Sequence, residues 1–73
     1  MTKTEQAILD RVREINNRDA LAGLGTAPGD RDFTNRKNRF VKRLYESKAI
    51  VWVCSRSLGM GWAVPELASK FQP

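Results

Sequence analysis

The chain has 73 residues, with 13 Lys and Arg against 8 Asp and Glu, a formal charge of +5, no His and one Cys. That length supports one domain, taken as 1–73, whose modest core leaves stability to packing or association, because neither an internal disulfide nor a His-containing zinc site can be built. The cation excess selects acidic partners, no apolar run approaches the roughly 18 to 20 residues that cross a bilayer, and "MTKTEQAILDRVREI" carries acids that a secretory leader lacks, so a soluble cytoplasmic protein with no cofactor, no metal and no membrane partner is expected.

The charge is uneven. Residues 31–56 hold eight cations (Arg31, Arg36, Lys37, Arg39, Lys42, Arg43, Lys48, Arg56) against Asp32 and Glu46, whereas the rest of the chain is close to neutral.

Thr2 and Glu5 have the spacing of a capping box, and Ile8, Leu9, Val12 and Ile15 recur at helical intervals, predicting an amphipathic first helix that stops at "NNR", residues 16–18. Asp19 suits the cap of a second, short helix through Ala20, Leu21, Ala22 and Leu24, closed by Gly25. "TAPGDRD", residues 26–32, is a loop by its Pro and Gly content. "GLGTAPG" lacks the spacing and the preceding strand of a phosphate-binding loop.

A third helix starts near Asp32 or Thr34 and runs to about Ser47. Phe33, Phe40, Val41 and Leu44 form its inward stripe, and Asn35, Asn38, Arg39, Lys42 and Glu46 lie opposite, with Arg36 and Arg43 at the borders and Lys37 near the buried side. After Lys48 the period falls to two: "AIVWVC" (49–54) and "GWAV" (61–64) are strands joined by "SRSLGMG". Trp52 and Trp62 are candidates for a cross-strand or core pair, or for dimer packing, rather than base-stacking platforms. Cys54 is expected to be a small buried hydrophobe. Pro65 opens a short terminal helix through Phe71.

The order of these elements, and above all "FTNRKNRFVKRLYESKAIVWVCSRSLGMGWAV" (33–64), resembles the winged helix-turn-helix class of DNA-binding domains. The resemblance covers a basic helix with an apolar underside, a Lys-Ala-Ile-Val junction into a strand, and a hairpin whose turn carries Arg56. It implies a small α+β, winged-helix-like domain: about three helices, a two-stranded β-hairpin wing and a short C-terminal helix. In that class the third helix enters the major groove and the wing touches the backbone or the adjacent minor groove. On this sequence Asn35, Arg36, Asn38 and Arg39 become base-facing candidates, because Arg and Asn pair with guanine and adenine edges. Thr34, Lys42 and Arg43 become phosphate contacts, and Arg56 and Ser57 serve the wing. "TAPGDRD" is longer than the three or four residues that usually join the second and third helices of this class.

The expected function is that of a small sequence-preferring DNA-binding protein, a transcriptional regulator or recombination accessory, acting on duplex DNA as a homodimer or cooperatively. The alternative is a protein-interaction module on the same scaffold, such as an accessory factor or inhibitor encoded by a phage or other mobile element. It would dock on an acidic protein partner through the same basic face, with Leu58 and Met60 as contact residues. Without His, a metal-ligand cluster or an activated nucleophile, the chain has no catalytic set and is not expected to be an enzyme.

Overall fold

Thr2 caps the first helix, α1 (Lys3–Asn17): its Oγ1 accepts the Glu5 N–H at 3.1 Å, and its hydroxyl donates to Glu5 Oε1 at 3.1 Å. The computed structural model, which describes residues 2–34 and 38–71, then continues through a 3₁₀ turn (Arg31–Thr34), α2 (Arg39–Glu46), β1 (Val51–Ser55), β2 (Gly59–Ala63) and α3 (Pro65–Phe71). This is a small α+β arrangement of three α-helices and a two-stranded antiparallel hairpin.

The hairpin is the centre of the molecule. Val51 pairs with Ala63, Trp52 with Trp62, Val53 with Gly61, Cys54 with Met60 and Ser55 with Gly59. Because side chains alternate across a strand, Ile50, Trp52, Trp62 and Val64 face one core with Val12 of α1, Val41 and Leu44 of α2, and Phe33. Val53 and Ala63 face a second, smaller core with Ala68 and Phe71 of α3. The sheet is thus sandwiched between α1 and α2 on one side and α3 on the other.

Several sequence expectations hold. Val12 is fully buried, and Ile8, Leu9 and Ile15 pack beside it. Trp52 and Trp62 form the cross-strand pair, edge to face with centroids 4.9 Å apart, and Phe33 stacks on Trp62 at 6.0 Å. Phe33, Val41 and Leu44 are buried in the core, whereas Phe40 of the expected inward stripe is only half-buried and its ring meets the Arg39 guanidinium instead.

Other expectations are corrected. The short helix through residues 20–24 does not form. Asp19 instead takes the left-handed conformation (φ 60°) that ends α1, its N–H bonding Asn16 O at 3.0 Å while the Ala20 N–H reaches Ile15 O at 3.3 Å. This is a Schellman cap with Asp at the position Gly usually holds. A residue spent on ending one helix cannot cap the next, so the chain leaves extended, and Ala22 bridges Trp62 on the outer edge of β2 (N···O 2.9 and 2.8 Å).

The third helix is shorter than 34–47. A 3₁₀ turn occupies Arg31–Thr34, and α2 begins only at Arg39. The hairpin turn is also shorter than "SRSLGMG", because Gly59 (φ 82°) completes a three-residue turn at 56–58 and sends the chain straight into β2. Cys54 is exposed rather than buried, because it lies beyond the reach of the helices that cover Trp52.

Asn16 is the residue that the sequence least announces. Fully buried, its Nδ2 donates to Ala20 O (3.0 Å) and Trp62 O (3.2 Å), and its Oδ1 accepts the Val64 N–H (2.8 Å). Its side-chain amide thus acts as one more peptide group along the outer edge of β2, continuing the bridge that Ala22 begins.

Candidate nucleic-acid interface

α2 turns Val41 and Leu44 inward, so the helical period sends Arg39, Lys42, Arg43 and Glu46 outward. Arg39 is exposed, and its guanidinium stands 5.0 Å from the centroid of the Phe40 ring, a cation–π contact that holds the side chain against the helix surface. Lys42 Nζ lies 3.9 Å from Glu46 Oε1, and Arg43 Nη1 lies 3.7 Å from Glu5 Oε1 on α1. Both contacts are long; the Lys42–Glu46 pair is exposed at both ends, of the kind worth about 0 to 1 kcal/mol, whereas the Glu5 side chain is only 13% exposed and its Oε1 also accepts from Thr2.

Asn38 is half-buried at the residue before α2. Thr34 ends the 3₁₀ turn, but its side chain lies outside the described residues, as do Asn35, Arg36 and Lys37. The predicted base-facing set is therefore represented in the structure by Asn38 and Arg39.

The wing candidates Arg56 and Ser57 are exposed in the hairpin turn. Ser55 orders that turn by accepting the Leu58 N–H at 3.3 Å and meeting Ser57 Oγ at 3.4 Å. An open groove of about 310 Å³ runs beside the turn, lined by Asp19, Ser55, Ser57, Leu58, Lys70 and Phe71. It places the turn near the C-terminal end of α1, whereas Arg43 contacts Glu5 at the N-terminal end. The α-helical rise of about 1.5 Å per residue separates those two ends by roughly 20 Å.

Two further residues bear on this surface through geometry that the local sequence does not show. Lys48 is exposed immediately after α2, held at φ 64° by a second Schellman cap in which its N–H bonds Tyr45 O (3.1 Å) and the Ala49 N–H bonds Leu44 O (2.9 Å). Glu5, taken only as a capping residue, also serves as the counter-ion of Arg43. No local signal links positions so far apart in the sequence.

Among the described residues no group of three or more His, Cys, Asp or Glu side chains could hold a metal ion, and no helix is long and apolar enough to cross a membrane. Comparison with protein-family models, with curated proteins and with solved structures finds no match for this chain.

Proposed function

We propose that this protein binds duplex DNA in the manner of a winged helix, with α2 presented to the major groove and the 56–58 turn to the neighbouring backbone. The observation that carries the proposal is the outward face of α2. Arg39, Lys42 and Arg43 share it, and their only described acidic contacts are two long ones, at 3.9 Å to the exposed Glu46 and 3.7 Å to the mostly covered Glu5. An α-helix with its side chains is about 10 to 12 Å across, which the major groove, roughly 12 Å wide, admits.

The hairpin turn adds a second basic point, Arg56, exposed on an element apart from α2, which would meet the backbone beside the groove that α2 enters. Arg39, nearest the start of α2, is the base-reading candidate, and Lys42, Arg43 and Arg56 are the phosphate contacts.

A titration of the labelled protein with duplex DNA at low salt tests this. Amide signals from residues 38–43 and 55–59 are expected to shift. Arg39→Ala should flatten the preference among DNA sequences, while Arg56→Ala should weaken binding to all of them alike. Unmoved signals at both segments would overturn the proposal.

One observation favours a second reading, a protein-docking module. Leu58 and Met60 are 45% and 68% exposed at the hairpin end, and a phosphate contact has no use for either. In that case Leu58→Ser and Met60→Ser would abolish partner binding and leave DNA affinity unchanged.

A further inference from the structure

The two edges of the hairpin are treated differently. Trp62 exchanges backbone hydrogen bonds with Ala22, so its N–H and C=O point away from β1. The antiparallel pattern alternates, so Val51–Ala63, Val53–Gly61 and Ser55–Gly59 are the pairs that bond across the hairpin. Trp52 and Cys54 must then direct their N–H and C=O to the other side of β1. The outer edge of β2 and the residue after it are closed at Trp62 by Ala22 and at Val64 by the Asn16 amide. On the outer edge of β1 only the beginning is closed, where the Ile50 N–H reaches Leu44 O at 3.4 Å. Among the described residues no backbone hydrogen bond meets Trp52 or Cys54 on that side.

Exposed strand edges are usually blunted by Pro, Lys, a bulge or a covering segment. β1, "VWVCS", carries none of the first three. We infer that this edge is an interface, and that its occupant is β1 of a second copy of the chain, paired antiparallel about a two-fold axis through Val53.

The register follows from the strand itself. A two-fold axis at Val53 sets Trp52 opposite Cys54 of the second copy and Cys54 opposite its Trp52, so every free N–H and C=O finds a partner. Moving the axis to Trp52 would set Cys54 against Ile50, whose N–H is already taken. Moving it to Cys54 would set Trp52 against Arg56, which has left the strand.

Charge agrees with the same register. It brings Arg56 of the second copy opposite Ile50, at a groove of about 480 Å³ lined by Tyr45, Glu46, Lys48, Ile50, Val51 and Trp52. There the guanidinium, carried past the end of the strand, would compete with Lys42, 3.9 Å away, for the Glu46 carboxylate beside the Tyr45 and Trp52 side chains, with Lys48 opposing. An edge this short buries well under the roughly 1,000 Å² of a permanent interface, so the dimer is weak and concentration-dependent.

Sedimentation equilibrium of the full chain over a wide concentration range, together with amide hydrogen exchange, tests the inference. The apparent mass should rise toward twice that of the monomer, and exchange at Trp52 and Cys54 should slow as concentration rises. Cys54→Pro removes only the outward N–H, which the hairpin does not use, and should give a folded monomer. Arg56→Glu should weaken the dimer at least several-fold, and adding Glu46→Arg should restore it. A wild-type chain that stays monomeric at millimolar concentration, or exchange at both amides that is independent of concentration, would overturn the inference whatever the variants do. So would a dimer that survives in folded Cys54→Pro. DNA binding by the monomer bears on neither outcome.

Discussion

At the scale of single residues, Asn16 has consequences beyond its size. Its amide satisfies the buried Val64 N–H and the part-buried Ala20 C=O and gives the buried Trp62 C=O a second bond. Truncation orphans the Val64 N–H where water cannot reach it, at roughly 1 to 3 kcal/mol for such a group, and removes the other two bonds as well. Asn16→Ala should therefore destabilise the fold by about 3 kcal/mol in urea unfolding, a large part of what a domain this small can spare. Lys48 presents the opposite case. Its backbone sits at φ 64°, a conformation that carries a steric penalty of about 1 to 2 kcal/mol for a residue with a Cβ. Lys48→Gly should raise the melting temperature, with a gain of about 1 kcal/mol after the entropy lost by the more flexible unfolded chain is subtracted. Neither role was visible in the sequence: "NNR" reads as a helix end, and a lysine gives no sign of a left-handed turn.

At the scale of elements, the sequence was most legible where periodicity is strong. The stripe of α1, Val41 and Leu44 under α2 and Ile50 and Trp52 leading into β1 are placed correctly, because burial itself produces the pattern, while Phe40 and Cys54 continue the same patterns past the point where anything covers them. The segment after α1 was misread because its apolar residues, Ala20 to Leu24, fit a short helix as well as an extended run, and the deciding contact, Ala22 with Trp62, is forty residues away in the chain. Gly61 records that contact. A Cβ built there would stand 2.6 Å from Leu21 Cβ and 3.0 Å from Ala22 O, so the crossing strand lies directly against it. Gly61→Ala should cost about 1 to 3 kcal/mol, the usual range for overpacking, and thermal unfolding will measure it. The turn glycine Gly59 has open space around it and is instead required by its φ of 82°. Two glycines two residues apart thus serve separate needs, close approach in one and backbone handedness in the other.

At the scale of the whole molecule, charge was legible as composition but not as geometry. The count of cations located the basic segment, yet which of them are tied to acids depends on the packing of α1 on α2, which brings Glu5 to Arg43, and on the seating of α3 on the hairpin, which brings Glu66 to Arg13 at 2.8 Å and Lys70 to Asp19. The last two pairs lie away from α2 and hold the terminal helix across the hairpin. If DNA binding runs through Arg39, Lys42, Arg43 and Arg56, the logarithm of affinity should fall linearly with the logarithm of salt concentration. Each alanine substitution at a phosphate-contacting member should reduce that slope by about 0.9. Arg13→Ala should leave the slope unchanged, and fluorescence anisotropy across a salt series will separate the two groups.

The tryptophan pair gives the molecule two optical reporters in adjacent positions with different duties. Trp62 is fully buried and donates its indole N–H to Thr26 O at 2.9 Å, so its signal follows the seating of the 23–30 loop and hence folding. Trp52, half-buried against Trp62 at 4.9 Å, shares that folding signal and is also the ring that something laid alongside β1 would reach. With no other tryptophan in the chain, a Trp52→Phe variant leaves Trp62 to follow unfolding alone, and any concentration-dependent part of the wild-type signal that this variant loses belongs to association.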